Sequence, residues 1–238
     1  MKRVLVFQHM NHDTPGRFAD FFAEDGLLPD TVRFFEGDAI PALQPYDLLF
    51  VLGGAQDVFE TEKYPWLAAE KAAIREWVGE RARPYLGLCL GHQLLADAMG
   101  GRVGEAARGE VGVFDVAIDG AAHPLMAGLG GSRKVMQWHF MEVQKLPPGG
   151  VAAASSPDTN IQALAVGDCA LGLQFHIEFS PQTIAGWRSQ PSYLAALERQ
   201  HGPGAYERLA REALPLMPDM GRTARRIYDN LMRAAKMA

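Results

Sequence analysis

The sequence predicts an α/β fold in a single domain, with a central, mostly parallel sheet flanked by helices and further helices at the C-terminal end. Two observations predict it. Over the first 100 residues short apolar runs alternate with amphipathic helical stretches, the pattern of strands joined by crossover helices. The apolar runs are continuous rather than alternating, as in strands covered on both faces. At 238 residues the chain can build one large core, and 48% hydrophobic with 21% charged residues is the balance of an ordinary globular protein.

Taken in order, "KRVLVF" (2–7), "TVRFFEG" (31–37), "YDLLFVLGG" (46–54) and "RPYLGLC" (83–89) read as strands that end in turn or polar residues. Between them "PGRFADFFAEDG" is a helix closed by Gly26. "YPWLAAEKAAIREWVGE" is another, opened by Pro65, with Leu67, Ile74, Trp77 and Val78 on one side. After Gly100 the character changes. "GRVGEAARGEVGVFDVAIDG", "RKVMQWHFMEV", "GVAAASS", "NIQALAVGD" and "CALGLQFHIEF" are separated by glycine and polar turns, and read as hairpins flanking or extending the sheet. From Pro181 the pattern is helical again, and "RTARRIYDNLMRAAK" spaces Ile227, Leu231 and Ala235 as the buried stripe of a docked helix. The expected organisation is an α/β unit over residues 1–190 with a helical extension, 191–238, packed on it.

A net charge of -5 argues against a nucleic-acid-binding surface. The apolar run at the N-terminus is too short for a secretory segment or a membrane span, so a cytoplasmic protein without a membrane partner is expected. Two cysteines, Cys89 and Cys169, do not form a disulfide framework in a chain this long, and both are expected as free thiols.

Cys89 stands between Gly87 and Gly91, where an apolar strand gives way to the helix "HQLLADAMG". A strand that turns abruptly into a helix strains its turn residue and needs small neighbours. G-x-C-x-G is the thiol version of the nucleophile elbow. The helix start beneath it offers unpaired N–H groups and a partial positive charge that favour a thiolate and a developing oxyanion. In "LGLQFHIEFS", His176 and Glu178 sit two apart and project to the same side of an extended chain. Glu178 can then orient the imidazole that takes the thiol proton, giving a Cys89–His176–Glu178 triad. "FVLGGAQDVFE" ends a strand with Gly53 and Gly54, whose backbone N–H groups can face a ligand unobstructed. The N–H of Gly54, with that of Leu90, is the expected oxyanion hole.

With "GLCLGHQLLA", "LGLQFHIE" and the "GGA" loop in view, residues 1–190 resemble the class I, triad-type glutamine amidotransferases, as in the glutaminase domain of GMP synthase. The resemblance implies a flavodoxin-like sheet and the release of ammonia from glutamine through a γ-glutamyl thioester. It makes Cys89 the nucleophile, His176 the base and acid, and Glu178 its orienter, with Gly54 and Leu90 as oxyanion donors. It also places Gln93, and with it Gly53, against the substrate. Two positions depart from the family pattern. Ile177 replaces the usual proline of H-P-E. In "WHFMEV", Met141 stands where an aspartate of H-x-D-x-V is usual, which removes a charge from the substrate side.

No metal or organic cofactor is expected. His9, His12 and Asp13 in "HMNHD" suggest at most a metal pair, and the spacing lacks a third or fourth defined ligand for a metal centre. His92 is assigned to the helix start, His123 to a turn and Cys169 to the core. No P-loop or other nucleotide motif is present, so ammonia acceptance would fall to a synthetase partner. The alternatives are a γ-glutamyl peptide or conjugate hydrolase using the same triad, which the apolar Phe140, Met141 and Val143 mildly favour, and a non-catalytic binding domain.

Overall fold

The computed structural model describes residues 2–188 and 190–236. Among the described residues nine strands form, β1 (Val4–Gln8), β2 (Asp30–Arg33), β3 (Leu48–Val51), β4 (Tyr85–Leu88), β5 (Arg102–Ile118), β6 (Gly131–Lys145), β7 (Val151–Ser155), β8 (Ala163–Val166) and β9 (Ala170–Leu173). They form one sheet in the order β2-β1-β3-β4-β9-β8-β7-β5-β6. From β2 to β9 the pairings are parallel, and beyond β9 they are antiparallel.

Every residue of β1, β3, β4 and β9 is buried, which is why these strands read as unbroken apolar runs. Their side chains alternate between two cores. Val4 and Val6 meet Phe18 and Phe22 of α1 (Arg17–Glu24) and Ile227 and Leu231 of the C-terminal helix, while Leu5 and Phe7 meet the opposite layer. That layer is α2 (Trp66–Ile74), running on into a π-helical turn over Arg75–Glu80, and α3 (Leu90–Ala98). Residues 31–37 are not all strand: β2 stops at Arg33, and Phe34–Glu36 form a 3-10 turn that folds Phe34 into the core and ends at Gly37 with φ 86°. β2 is the edge strand with only Val32 buried, so nothing holds the chain extended further.

The long hairpin of β5 and β6 carries an irregularity between Glu105 and Glu110, opposite the segment His139 to Met141. Such a bulge bends the strand and re-aims its side chains. The hairpin is covered by α4 (Pro181–Trp187), α5 (Pro191–His201) and α6 (Ala205–Ala213), which form a third core with Val111 and Met136. The chain returns to the sheet through α7 (Met217–Ala234). Among the described residues no helix is long and apolar enough to cross a membrane.

Candidate active site

Cys89 sits at the carboxyl end of β4 with φ 50° and ψ -102°, a conformation that an L-residue adopts only when its surroundings impose it. The surroundings are the two glycines. A Cβ on Gly87 would lie 2.5 Å from the Gly91 carbonyl oxygen and 2.7 Å from the Tyr85 hydroxyl. A Cβ on Gly91 would meet the Val51 carbonyl. The backbone is latched as well: the Cys89 N–H donates to Leu173 O at 2.8 Å, and the Tyr85 hydroxyl donates to Gly91 O at 2.7 Å.

His176 follows β9, the neighbour of β4, and its N–H donates to Met136 O of β6 at 2.8 Å. Its Nδ1 is 2.5 Å from Glu178 Oε1, and its ring lies parallel to Phe179 with centroids 4.4 Å apart. Burial alone would strip the proton from this imidazole. The charge of Glu178 and the interaction with the Cys89 thiol outweigh that cost and hold it well above the ordinary histidine value. Glu178 is fixed in turn: its carbonyl accepts the Arg17 N–H at 3.0 Å, and Gly16, with φ 55°, leaves room for that approach. Gln174, two residues before His176 on the same side of the strand, donates to Cys89 Sγ at 3.7 Å.

The remaining predicted residues divide. Gly54 lines the cavity above Cys89, but Gly53 does not, because its carbonyl turns away to accept from His9 Nδ1 at 2.8 Å. Leu90 buries its side chain in the core, leaving only its backbone N–H, the first of α3, for a ligand. Gln93 does line the cavity, yet its amide nitrogen is engaged, donating to Met141 O and Gln174 Oε1, each at 3.1 Å. Met141 lines the cavity, whereas Glu142, next in the strand, alternates away toward Thr159. His92 is fully buried beneath β9 and burial pushes it down to about 4, so it is a neutral packing residue rather than a cap. Cys169 is only half-buried, with its sulfur 3.3 Å from Ala82 O, and is not a core residue. His9 and Asp13 part company: His9 points inward, and Asp13 accepts from the Tyr193 hydroxyl at 3.0 Å.

The cavity holds about 310 Å³, and its outer wall is aromatic. Trp138 of β6 packs on Trp187 and Tyr193 of the C-terminal helices, with centroids 5.2 and 5.4 Å away, and Trp187 packs on Phe179 at 4.9 Å. Among the described residues that line the cavity there is no lysine or arginine, and Asp13 and Asp57 are its carboxylates. Burial raises both above the usual aspartate value, by way of poorer solvation of the charged form. Sequence reasoning missed this wall. Gln174 could have been found from its i, i+2 relation to His176, but nothing local in residues 181–200 announces that Trp187 and Tyr193 reach Cys89.

A strained cysteine between two glycines, beside a buried histidine–carboxylate pair, is the arrangement on which comparison with known proteins bears. The family model described as glutamine amidotransferase class-I matches residues 28–186. The chain belongs to the class I glutamine amidotransferase family. It is thereby an enzyme of the C–N hydrolase type. The chain is 31% identical over 156 residues to a glutamine-hydrolysing GMP synthase component from Thermococcus kodakarensis, covering 65% of this chain and 76% of that one. It is 28% identical over 176 residues to γ-glutamyl peptidase 5 of Arabidopsis thaliana, covering 70% and 68%. The crystal structure of a glutamine amidotransferase from Thermotoga maritima superposes with a TM-score of 0.88 at 28% identity, over 99% of this chain and 98% of that one. The α/β fold of this amidotransferase-family chain is that of the family, and its C-terminal helices lie within the superposition on the Thermotoga maritima structure.

Proposed function

We propose that the protein hydrolyses the γ-carboxamide of glutamine through a γ-glutamyl thioester on Cys89, releasing ammonia. The observation that carries the reading is the meeting of the Cys89 elbow with the His176–Glu178 pair. With the proton of Cys89 already resting on His176, Sγ attacks the γ-carbonyl carbon. The carbonyl oxygen becomes an oxyanion held by the N–H groups of Gly54 and Leu90. Collapse breaks the C–N bond, and His176 returns the proton to the leaving nitrogen. A water molecule deprotonated by the same imidazole then attacks the thioester, yielding glutamate and the free thiol. Asp13 and Asp57 supply negative charge for the substrate's α-ammonium group. Gln93 acts by holding Met141 O and Gln174, so that substrate meets the wall it positions.

A second reading is favoured by one observation. The aromatic wall of Trp138, Phe179, Trp187 and Tyr193 offers apolar area that ammonia as a leaving group does not use, and suits a γ-glutamyl conjugate of a larger amine. The γ-glutamyl peptidase relative is consistent with it. Under the first reading a partner synthetase receives the ammonia; under the second no acceptor is needed beyond water. Comparing kcat/KM for glutamine with that for a γ-glutamyl anilide and a γ-glutamyl dipeptide decides between them. Preference for glutamine supports the amidotransferase reading, and preference for the anilide or dipeptide supports the conjugate hydrolase. Turnover of none of the three contradicts both.

A further inference from the structure

A carboxylate on the buried face of an amphipathic helix needs a reason. Glu70 lies on α2 between Leu67 and Ile74, all three facing the core, and its side chain is fully buried. Its Oε1 is 2.9 Å from Nε2 of His9, whose side chain is equally buried. The His9 ring lies against the stacked pair of Phe34 and Trp66, with centroids 5.7 and 5.5 Å away and planes within 14° and 22° of parallel, while the pair's own centroids are 4.8 Å apart. Its other nitrogen, Nδ1, meets Gly53 O at 2.8 Å, and since a carbonyl only accepts, Nδ1 carries the proton.

We propose that His9, oriented by Glu70, is a positioning residue that locks the Gly53–Gly54 peptide with the Gly54 N–H turned toward the oxyanion. The inference rests on the thioester reading above. A peptide unit is planar, and among the described residues there are no cis bonds, so the Gly53 carbonyl and the Gly54 N–H point in opposite directions. Holding the oxygen toward His9 holds the N–H away from it. Gly53 is the partition: its carbonyl meets His9, while its open α-carbon side faces the catalytic pair, a Cβ there lying 3.4 Å from His176 Cε1 and 3.6 Å from Cys89 Cβ. Two successive glycines have little conformational preference of their own. Left unlatched, the peptide can flip and present its carbonyl to a developing negative charge, which opposes the reaction instead of assisting it. Burial disfavours a charged imidazole at His9, but the charge of Glu70 and its hydrogen bond outweigh that and hold the proton on the ring. The latch thus stays a donor.

The test compares chemistry that needs an oxyanion with chemistry that does not. His9→Phe keeps a ring against the Phe34–Trp66 pair and removes the donor. It is expected to lower kcat for γ-glutamyl amide hydrolysis by about 10²–10³, the usual effect of losing an oxyanion donor, with KM little changed. Alkylation of Cys89 by iodoacetamide, a direct displacement, is expected to stay near the wild-type rate. In Glu70→Gln the amide N–H can donate to Nε2 in place of the carboxylate that accepts from it, leaving the proton on Nδ1, so this variant should retain most activity, whereas Glu70→Leu should fall in the same direction as His9→Phe and carries the comparison if that variant does not fold. Acylation of Cys89 by p-nitrophenyl acetate passes through an oxyanion without requiring a γ-glutamyl group. A wild type inert toward γ-glutamyl amides but acylated by this ester faster than His9→Phe would sink the substrate reading and keep the latch. Equal acylation of the two proteins, or equal losses in hydrolysis and iodoacetamide alkylation, would overturn the latch. A wild type that reacts with none of these acyl donors overturns both.

Discussion

On the parallel side of the sheet, β4 delivers Cys89, β9 leads into His176 and Glu178, and β3 ends in the Gly53–Gly54 loop. On the antiparallel side, β6 delivers Trp138 and Met141, and the helices packed over that hairpin add Trp187 and Tyr193. One side supplies groups that make and break bonds, with Cys89 and Glu178 fixed by glycine contacts closer than a methyl group allows. The other supplies surface against which a leaving group lies, held by side chains packed on side chains. Chemistry and selectivity are thus borne by different kinds of structure, and substitutions on the two sides should fail differently.

The largest effect is expected on the parallel side. Cys89→Ala and His176→Ala should each lower kcat by about 10⁴–10⁶, and the double variant should be little worse than either, because the pair acts as a unit. Steady-state rates on glutamine and a γ-glutamyl anilide measure this. Additive losses would break the comparison.

Glu178→Gln should cost less, about 10²–10⁴ in kcat. Its pH signature is distinct. Glu178 holds the His176 imidazolium well above the ordinary histidine value. Without that charge, burial pulls it down, so the alkaline limb of kcat/KM moves to lower pH. The same raised value stabilises the fold below the ordinary histidine value of 6.5, a contribution lost as pH rises through the folded-state value. The melting temperatures of wild type and Glu178→Gln should therefore converge toward alkaline pH, and a gap that widens there would count against the pair.

On the antiparallel side, Trp187→Leu should leave kcat for glutamine within about threefold while raising KM for an aromatic γ-glutamyl amide by about 3- to 30-fold, since it removes binding area shared by ground and transition states. A loss in kcat equal for all substrates would show that the wall serves the triad. Smallest of all, Cys169→Ser should change no rate by more than about twofold, its half-buried thiol lying outside the cavity.

How much of this was legible in the sequence follows the same division. The elbow could be read because its requirement is local: glycines two before and two after a cysteine, at the junction of an apolar run and a helix. His176 and Glu178 could be read from a spacing of two. The end of β2 at Arg33 could not, since an edge strand has no second neighbour to keep Phe34 extended. Nor could Gly53 be separated from Gly54 without knowing which way their shared peptide turns, or His9 from His12 before the chain folded one inward and left the other near the surface. Gln93 sits where the family motif puts it, but its hydrogen bonds reach Met141 and Gln174, 48 and 81 residues away. Trp187 and Tyr193 reach the cavity only through the docking of α4 and α5, a tertiary event with no local mark.

The central claim is a covalent intermediate on one residue. Wild-type protein mixed with a γ-glutamyl amide at high concentration, quenched in acid within the first turnover and mapped by peptide mass should carry one γ-glutamyl group on the peptide containing Cys89, absent from Cys89→Ala. Turnover without that adduct, or turnover retained by Cys89→Ala, would contradict the account.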